Sequence, residues 1–508
     1  MIKSLRFALL VSVLCCLSLV TPFSTHASVV SPLIPLDSWV YPALDKLSGL
    51  GLINSSLAGS RPYSRIEAAR QVEEANLLIE DVSVPPVALE LLQRLETELA
   101  ESLTELGDAS VAGYFKPVRQ LRADYIYQDG DASHYPQTDA RQFALNKNNF
   151  GIDYVNHNNG QLTLQGDGRI SRFLGFEWQP LLLTNSSDDL EVKWLTARVT
   201  LALGPVEISA GRQSLGWGQG YNGSLLLGNN AKPLDMIRIN TPSPIMLPWL
   251  FKYLGPFQFD VFWSQLEEER QVPEPYFAGM RVNMKPLPWL ELGATRTVMF
   301  GGDGRPDVDL DEFITILGGK NLDGDEDSSN SIAAIDLRIF FPSLWGAEIY
   351  GEIGGEDEAN HFFSKAAWLA GVYLPQVEPT GRLSLRLEYT DLSDEVWYRH
   401  SAYRSGYTYK NHIMGHHIGG AAKDYFAEAR LLLRSDLELT LGFDYQKRGE
   451  NQLVEEKHYQ ASAEVNWWLN EKIRFELMGS VDRTENFDFV TDNDPDFYSS
   501  RLSMIYSW

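Results

Sequence analysis

The chain has 508 residues, of which 44% are hydrophobic and 12% aromatic, a balance that excludes a disordered or low-complexity protein. Its formal net charge of −25 argues against nucleic acid as a partner, because the phosphate backbone would be repelled. No run of ~20 apolar residues follows the first 30 positions, which excludes a bundle of membrane-spanning helices.

The chain opens with a segment typical of export. Residues 1–27 have a basic start, an apolar core from Phe7 to Val20 and small residues up to Ala27. This pattern predicts a secretory signal peptide, and the apolar core is too short to serve as a membrane anchor. Both cysteines of the chain lie in this core, so the mature chain from Ser28 is expected to have no disulfide and no thiol chemistry.

Residues 28–108 are predicted to form a periplasmic helical bundle. Asp37 or Ser38 can cap a first helix, residues 64–67 form a capping box for a second, and Pro85-Pro86 begins a third. The third helix carries a leucine seam with helical spacing. Its members are Leu92, Leu95, Leu99, Leu103 and Leu106. One stretch also loosely matches an S-layer-homology repeat, so attachment to the cell wall is a second interpretation of this region.

Residues 109–508 change to a period of two, which is typical of β-strands. Apolar side chains occupy alternate positions in runs such as 195–203, 257–263 and 383–389, and the opposite faces carry charges. A soluble sandwich and a transmembrane β-barrel both fit this alternation. The length of many runs, the aromatic residues at their ends and the long polar connections favour the barrel.

The end of the chain supports the same choice. Leu502, Met504, Tyr506 and Trp508 alternate up to a terminal aromatic residue, a pattern that resembles the C-terminal signal read by the barrel-assembly machinery of bacterial outer membranes. We therefore predict the fold class as an all-β transmembrane antiparallel β-barrel of about 16–18 strands, preceded by the helical bundle. The predicted location is the outer membrane, in contact with its lipid.

A first candidate site is the glycine-rich stretch at residues 211–232, which contains Trp217 and Tyr221. Neither nucleotide-binding glycine motif is present, so nucleotides are disfavoured. The two aromatic rings could stack on sugar faces, or they could simply mark a corner of the barrel. Both interpretations stay open.

A second candidate site is the stretch at residues 398–417, which is rich in tyrosine, histidine and arginine. It could bind an acidic saccharide, it could hold a metal through His412 and His416, or it could be a polar loop packed in the barrel mouth. The spacing of these two histidines suits a helix, which Gly415 disfavours. The acidic stretch 303–327 has calcium-like spacing but lacks an EF-hand frame, so we expect a solvated external loop there.

Four stretches together resemble the capsule-assembly Wzi family of outer-membrane proteins. They are GRQSLGWGQGYNGSLLLGNNAKP ending at Pro233, NSIAAIDLR at 330–338, YRHSAYRSGYTYKNHIMGHHIGG at 398–420, and WVYPALDKLSGLGLI followed by RPYSRIEAAR near the N-terminus. The resemblance implies an 18-stranded barrel with a periplasmic helical bundle that attaches capsular polysaccharide to the cell surface. It implies a lectin-like protein and not an enzyme.

The functional hypotheses are therefore ordered. The first is an outer-membrane barrel that binds capsular or extracellular polysaccharide, and the second is a porin-like diffusion channel. The third is an outer-membrane hydrolase, which no sequence motif supports. We expect no cofactor, although a divalent cation could offset repulsion between an acidic capsule and this acidic chain. The candidate carbohydrate-binding residues are Trp217, Tyr221, Tyr398, Arg399, His400, Tyr407 and Tyr409.

Overall fold

The structure of the chain is a closed β-barrel with helices at one end. This computed structural model describes residues 29–80, 84–108, 111–130, 132, 145–186, 190–306, 308, 329–356 and 365–508. Eighteen long antiparallel strands each pair with the next strand in sequence, and the last pairs with the first. The predicted fold class is confirmed. The predicted signal peptide lies outside the described residues.

The strand bounds follow in chain order. The first nine are β1 Tyr114–Asp129, β2 His157–Ser171, β3 Leu174–Asn185, β4 Leu190–Leu203, β5 Val206–Gln213, β6 Leu234–Asn240, β7 Pro256–Gln265, β8 Tyr276–Leu287 and β9 Leu290–Phe300. The second nine are β10 Ser329–Phe341, β11 Ala347–Glu356, β12 Ala367–Leu374, β13 Leu383–Leu392, β14 Ala422–Arg434, β15 Leu437–Arg448, β16 Glu456–Trp468, β17 Ile473–Glu485 and β18 Asp496–Ser507.

The strands place apolar side chains outward and charged ones inward. On β13 the polar residues Arg386, Glu388 and Thr390 are buried in the lumen, whereas Leu387 between them is 59% exposed on the outer face. Lipid solvates the outer face of such a barrel, so an apolar outer face is stable there. The alternation predicted for 383–389 is thus the barrel's inside–outside pattern.

The two ends of the barrel differ in the length of their connections. Short turns such as 204–205, 288–289 and 435–436 lie at one end, which we call the turn end. Longer connections such as 214–233 and 393–421 lie at the other, which we call the loop end. Because the strand number is even, both termini of the barrel lie at the turn end.

In the described part of the chain, four helices precede the barrel: α1 Val40–Gly49, α2 Arg65–Leu78, α3 Pro86–Glu98 and α4 Ala100–Glu105. Ser64 Oγ accepts a hydrogen bond from the Glu67 N–H at 3.1 Å, which is half of the predicted capping box. The other half does not form, because the Glu67 carboxylate accepts from Arg70 and Gln71 instead. No helix among the described residues is long and apolar enough to span a membrane.

The leucine seam runs through two helices and not one. The chain bends at Leu99, and α4 turns its acidic side chains toward the barrel. Glu105 pairs with Arg169 of β2 at 2.6 Å, and Glu101 pairs with Arg119 of β1 at 3.0 Å. These ion pairs give a physical reason for the bend.

The helices share a core and rest against the turn end of the barrel. Leu47, Val72 and Leu95 are fully buried in that core, which also includes Leu432 of β14. Trp39 packs edge-on against Trp468 of β16, with ring centroids 5.6 Å apart. The helices therefore lie over one opening of the barrel, which bears on whether a channel exists.

Candidate functional site

Among the described residues, three segments occupy most of the length of the lumen. The entry segment, residues 54–61, rises from the helices at the turn end, and the inner loop, residues 214–233, descends from the loop end. They meet as a short antiparallel pair, Ser60 with Trp217 and Arg61 with Gly216. The lid, residues 393–421, lies over the inner loop. The lumen is thus occupied from both ends.

Two buried carboxylates on the barrel wall hold the backbone of the inner loop. Glu352 of β11 accepts hydrogen bonds from the N–H groups of Gln219, Gly220 and Leu225 at 2.6–3.0 Å. Glu388 of β13 accepts from the N–H groups of Tyr221 and Asn222 at 2.8 and 3.0 Å. Hydrogen bonds to charged groups are worth ~1.5–3 kcal/mol each, so these five contacts fix the path of the loop strongly.

The side chain of Gln219 extends this network to the entry segment. Its amide nitrogen donates to Glu291 Oε1 at 3.1 Å and to Asp336 Oδ1 at 2.8 Å, and its amide oxygen accepts from Arg338 Nε at 2.8 Å. Glu291 also accepts from the N–H of Gly59 at 2.9 Å. One wall carboxylate therefore binds both lumenal segments.

The lid joins the inner loop through tyrosine hydroxyls and backbone groups. Tyr398 Oη donates to Leu225 O at 2.6 Å and accepts from the His416 N–H at 2.9 Å. The rings of Tyr398 and Tyr407 stack with centroids 5.6 Å apart. Burial raises the pKa of both hydroxyls, so these tyrosines stay protonated.

The two candidate stretches are brought together at the loop end of the barrel. Their aromatic rings, however, are mostly covered by protein. Trp217 is 1% exposed, packs on Phe262 and donates its indole N–H to Asp260 at 3.1 Å. Tyr407 and Tyr409 are also buried. These three rings present no open face to a sugar in this conformation.

Tyr221 is half-buried and has an internal partner. Its hydroxyl donates to Glu428 at 2.9 Å, and the Arg386 guanidinium lies 4.2 Å from its ring centroid. Stacking on a sugar would require Tyr221 to give up both contacts. Its role in carbohydrate binding stays a prediction.

The outer surface of the lid carries more basic than acidic side chains, with Glu395 as an exposed acid among them. Arg399 and Arg404 are exposed, and His400 and Lys410 are half-buried. A neighbouring connection supports this surface from below, because Arg270 donates to the carbonyl oxygens of Thr408 and Gly406, both at 3.0 Å. Guanidinium groups suit carboxylates and other anions, so this surface can bind an acidic polymer.

The lid histidines predicted as a metal pair have different partners. His412 Nε2 lies 3.0 Å from Asp153 Oδ1. His416 stacks on His417 at 4.6 Å and lies near Asp424 of β14. Burial lowers the pKa of His416 to about 3 and that of His417 well below its usual value, so both are neutral near neutral pH.

Sequence reasoning missed the residues that hold the loops. Glu352, Asp424 and Gln219 were not singled out, and Glu388 was noted only as part of a charged strand face. The period-two pattern places Glu352, Glu388 and Asp424 inside the barrel, but it does not indicate which loop enters to meet them.

Comparison with known proteins gives relatives for most of the chain. Residues 129–497 match the profile of the family described as capsule assembly protein Wzi. An uncharacterized 55.8 kDa protein in the cps region of Klebsiella pneumoniae is 32% identical over 170 residues. That match covers 32% of this chain and 33% of the relative, so it spans about a third of the relative's length.

One solved structure in particular shows the same fold. Escherichia coli Wzi, an outer membrane protein involved in group 1 capsule assembly and a carbohydrate-binding β-barrel, aligns with a TM-score of 0.70 at 19% identity. The alignment covers 94% of this chain and 100% of that one. Pseudomonas aeruginosa OprD aligns with a TM-score of 0.46 at 10% identity, over 79% of this chain and 95% of that one.

Proposed function

Because the chain belongs to the capsule assembly protein Wzi family, we propose that it binds capsular or extracellular polysaccharide and holds it at the cell surface. The family and the closed transmembrane barrel place the chain in the outer membrane. The observation that carries the proposal is the excess of basic side chains on the outer surface of the lid, on a barrel whose lumen is occupied.

The proposed orientation follows from the two ends. The lid faces the cell exterior, where a capsule lies, and the helices at the turn end face the periplasm. The apolar outer face contacts outer-membrane lipid, and the barrel-assembly machinery reads the C-terminal alternation that ends at Trp508. Contact of the helices with the cell wall is the further hypothesis for that end.

The proposed role is binding without catalysis. Arg399 and Arg404 supply charge-assisted hydrogen bonds to acidic sugar units, and His400 and Lys410 lie beside them. These local cations offset the repulsion expected between an acidic polymer and a chain of net charge −25. Tyr409 and the other buried rings support the lid from beneath.

The porin-like alternative is weaker. A diffusion channel needs an open lumen, whereas Glu352 and Glu388 hold the inner loop across the barrel and the lid covers that loop. The helices also lie over the turn end. Solutes would have to displace all three segments to pass.

The test measures binding of the native capsular polysaccharide to purified protein in detergent. The double substitution Arg399→Ala/Arg404→Ala is expected to weaken binding about tenfold, because two exposed charge contacts are worth ~1–2 kcal/mol together. Arg434→Ala is the matched control, since Arg434 is an exposed arginine at the end of β14 on the turn side. Equal affinities of the double variant and the control would contradict the proposed surface.

A further inference from the structure

We propose that His416, His417 and Asp424 bind a divalent transition-metal ion, with Asp444 beside them, and that this ion fastens the lid to the barrel wall. The inference does not depend on polysaccharide binding. It assigns a ligand to a buried group of side chains in which Asp424 also holds Asn222 of the inner loop.

The geometry brings one ligand atom from each of three residues together. Asp424 Oδ2 lies 3.8 Å from His416 Nε2 and 3.9 Å from His417 Nε2, and the three ligand atoms all lie within 4.8 Å of one another. Separations of 3.8–3.9 Å are too long for hydrogen bonds. Two atoms that bind one ion tetrahedrally at ~2.0–2.2 Å lie ~3.3–3.6 Å apart, so these side chains would move closer together around a bound ion.

The cluster is dry. The structure leaves each of the three side chains no more than 2% exposed. A neutral ring nitrogen is the form of histidine that binds a metal, and the Nε2 atoms of both rings face Asp424 Oδ2. Within the described part of the chain, the further polar contacts of these Nε2 atoms are 3.3 Å long, to Thr390 and to Gln446.

The hydrogen bonding of Asp424 is incomplete for a buried carboxylate. Its Oδ2 accepts one hydrogen bond, from Asn222 Nδ2 at 2.9 Å, no described donor reaches its Oδ1, and its carboxyl group contacts that of Asp444. Two buried carboxyl groups in contact need a cation or a shared proton to offset their repulsion. A metal ion would supply the missing positive charge.

The other charged groups near the cluster are already paired. Lys147 Nζ forms an ion pair with Asp444 Oδ2, and Asp444 Oδ1 has no partner among the described residues. Arg448 donates to Gln446 at 2.5 Å and lies 3.4 Å from Glu456. Glu388 holds the inner loop. The free oxygens of Asp424 and Asp444 therefore remain for a cation, or for one proton shared between them.

The donor set suggests which ions fit. Two imidazoles with one or two carboxylates suit Zn²⁺ and neighbouring first-row dications, whereas Mg²⁺ and Ca²⁺ prefer oxygen ligands alone. The site would join two parts of the barrel, because His416 and His417 belong to the lid and Asp424 belongs to β14. The His416 ring also lies against the inner loop at Gly223. A side chain at that position would collide with the ring, because its Cβ would lie 2.8 Å from the nearest ring atom.

The test begins with the unaltered full chain, purified in detergent from outer membranes without chelators. Mass spectrometry of its metal content is expected to find roughly one first-row dication per chain. Removal of the ion with EDTA should lower the unfolding temperature, and added Zn²⁺ should restore it. A chain with almost no metal, whose unfolding temperature does not respond to added Zn²⁺, would overturn the proposal and favour a shared proton.

Two variants separate a metal ligand from a structural residue. Asp424→Asn and His417→Gln should each weaken Zn²⁺ binding at least about tenfold, which is the scale of affinity lost when a metal's surroundings are altered. His412→Gln is the matched control, because His412 is a buried histidine of the same lid whose nearest acid is Asp153. Equal loss of metal in the control would also contradict the site.

Discussion

Charged residues beneath the barrel differ in how well they are compensated. Asp45 of α1 pairs with Arg61 at 2.7 Å, and Arg386 lies 3.7 Å away from its other oxygen. The next residue, Lys46, is 2% exposed, and its Nζ has no hydrogen-bond partner among the described residues. Burial lowers the pKa of Lys46 from 10.5 to about 8, although Glu438 acts in the opposite direction. Lys46 therefore destabilises the folded state in its charged form.

We expect Lys46→Met to raise the free energy of unfolding at pH 7.5 by on the order of 2–3 kcal/mol. The unfolded chain binds the Lys46 proton more tightly than the folded chain does. The free energy of unfolding of the parent protein therefore falls as the pH drops from 10.5 to about 8, and it stays constant at lower pH as far as Lys46 is concerned. Denaturant unfolding at pH 7.5 and pH 10 measures both effects. The exposed Lys472→Met is the control, and a less stable Lys46→Met at pH 7.5 would show that Lys46 has a partner.

The inner loop is the element that decides how the lumen is closed. Its backbone follows the wall carboxylates so closely that some positions have no room for a side chain. Gly218 has φ 128°, and a Cβ there would lie 2.3 Å from Glu352 Oε1, the atom that accepts from Gln219 and Gly220. Gly228 in the same loop has no atom closer than 3.9 Å to such a Cβ. Glycine is required at the first position and not at the second.

Gly218→Ala should therefore destabilise the folded barrel by roughly 2–4 kcal/mol, from backbone strain and displaced hydrogen bonds. Gly228→Ala should change its stability by less than about 0.5 kcal/mol. Thermal unfolding of the two purified variants, compared with the parent, provides the measurement. If the two substitutions cost the same, Glu352 does not hold the loop as described.

The sequence predicts elements better than it predicts where loops go. Alternation alone located β13, since the inward Arg386 and outward Leu387 are adjacent in a regular pattern. The structure brings the 398–417 and 211–232 stretches together at the loop end of the barrel. Trp217 could have stacked on a sugar or marked a barrel corner, and the structure buries it with its indole N–H donated to Asp260. Inward folding depends on partners from distant strands, and a single sequence does not reveal those contacts.

At the scale of the whole molecule, the barrel is a closed body whose lid carries two exposed arginines. The helices, the entry segment, the inner loop and the lid lie in series along its axis. Arg399 and Arg404 project from the last of these layers. This arrangement favours a protein that binds a ligand at its surface over one that forms a diffusion channel.

We expect the purified chain to show no stable conductance steps in planar lipid bilayers at neutral pH, because the three segments occupy most of the length of the lumen. An open general porin studied in the same bilayers is the control for insertion and sensitivity. Long-lived conductance steps as large as those of the porin, recorded with the unaltered chain, would support the channel hypothesis.

The most direct test of the proposed function is the distribution of capsular polysaccharide in the strain that encodes this chain. Deletion of the gene should leave the total amount of polysaccharide nearly unchanged and move most of it from the cells into the medium. Restoring the unaltered chain should return it to the cells. A cell-bound fraction that does not change on deletion would contradict the account of a barrel that holds polysaccharide at the surface.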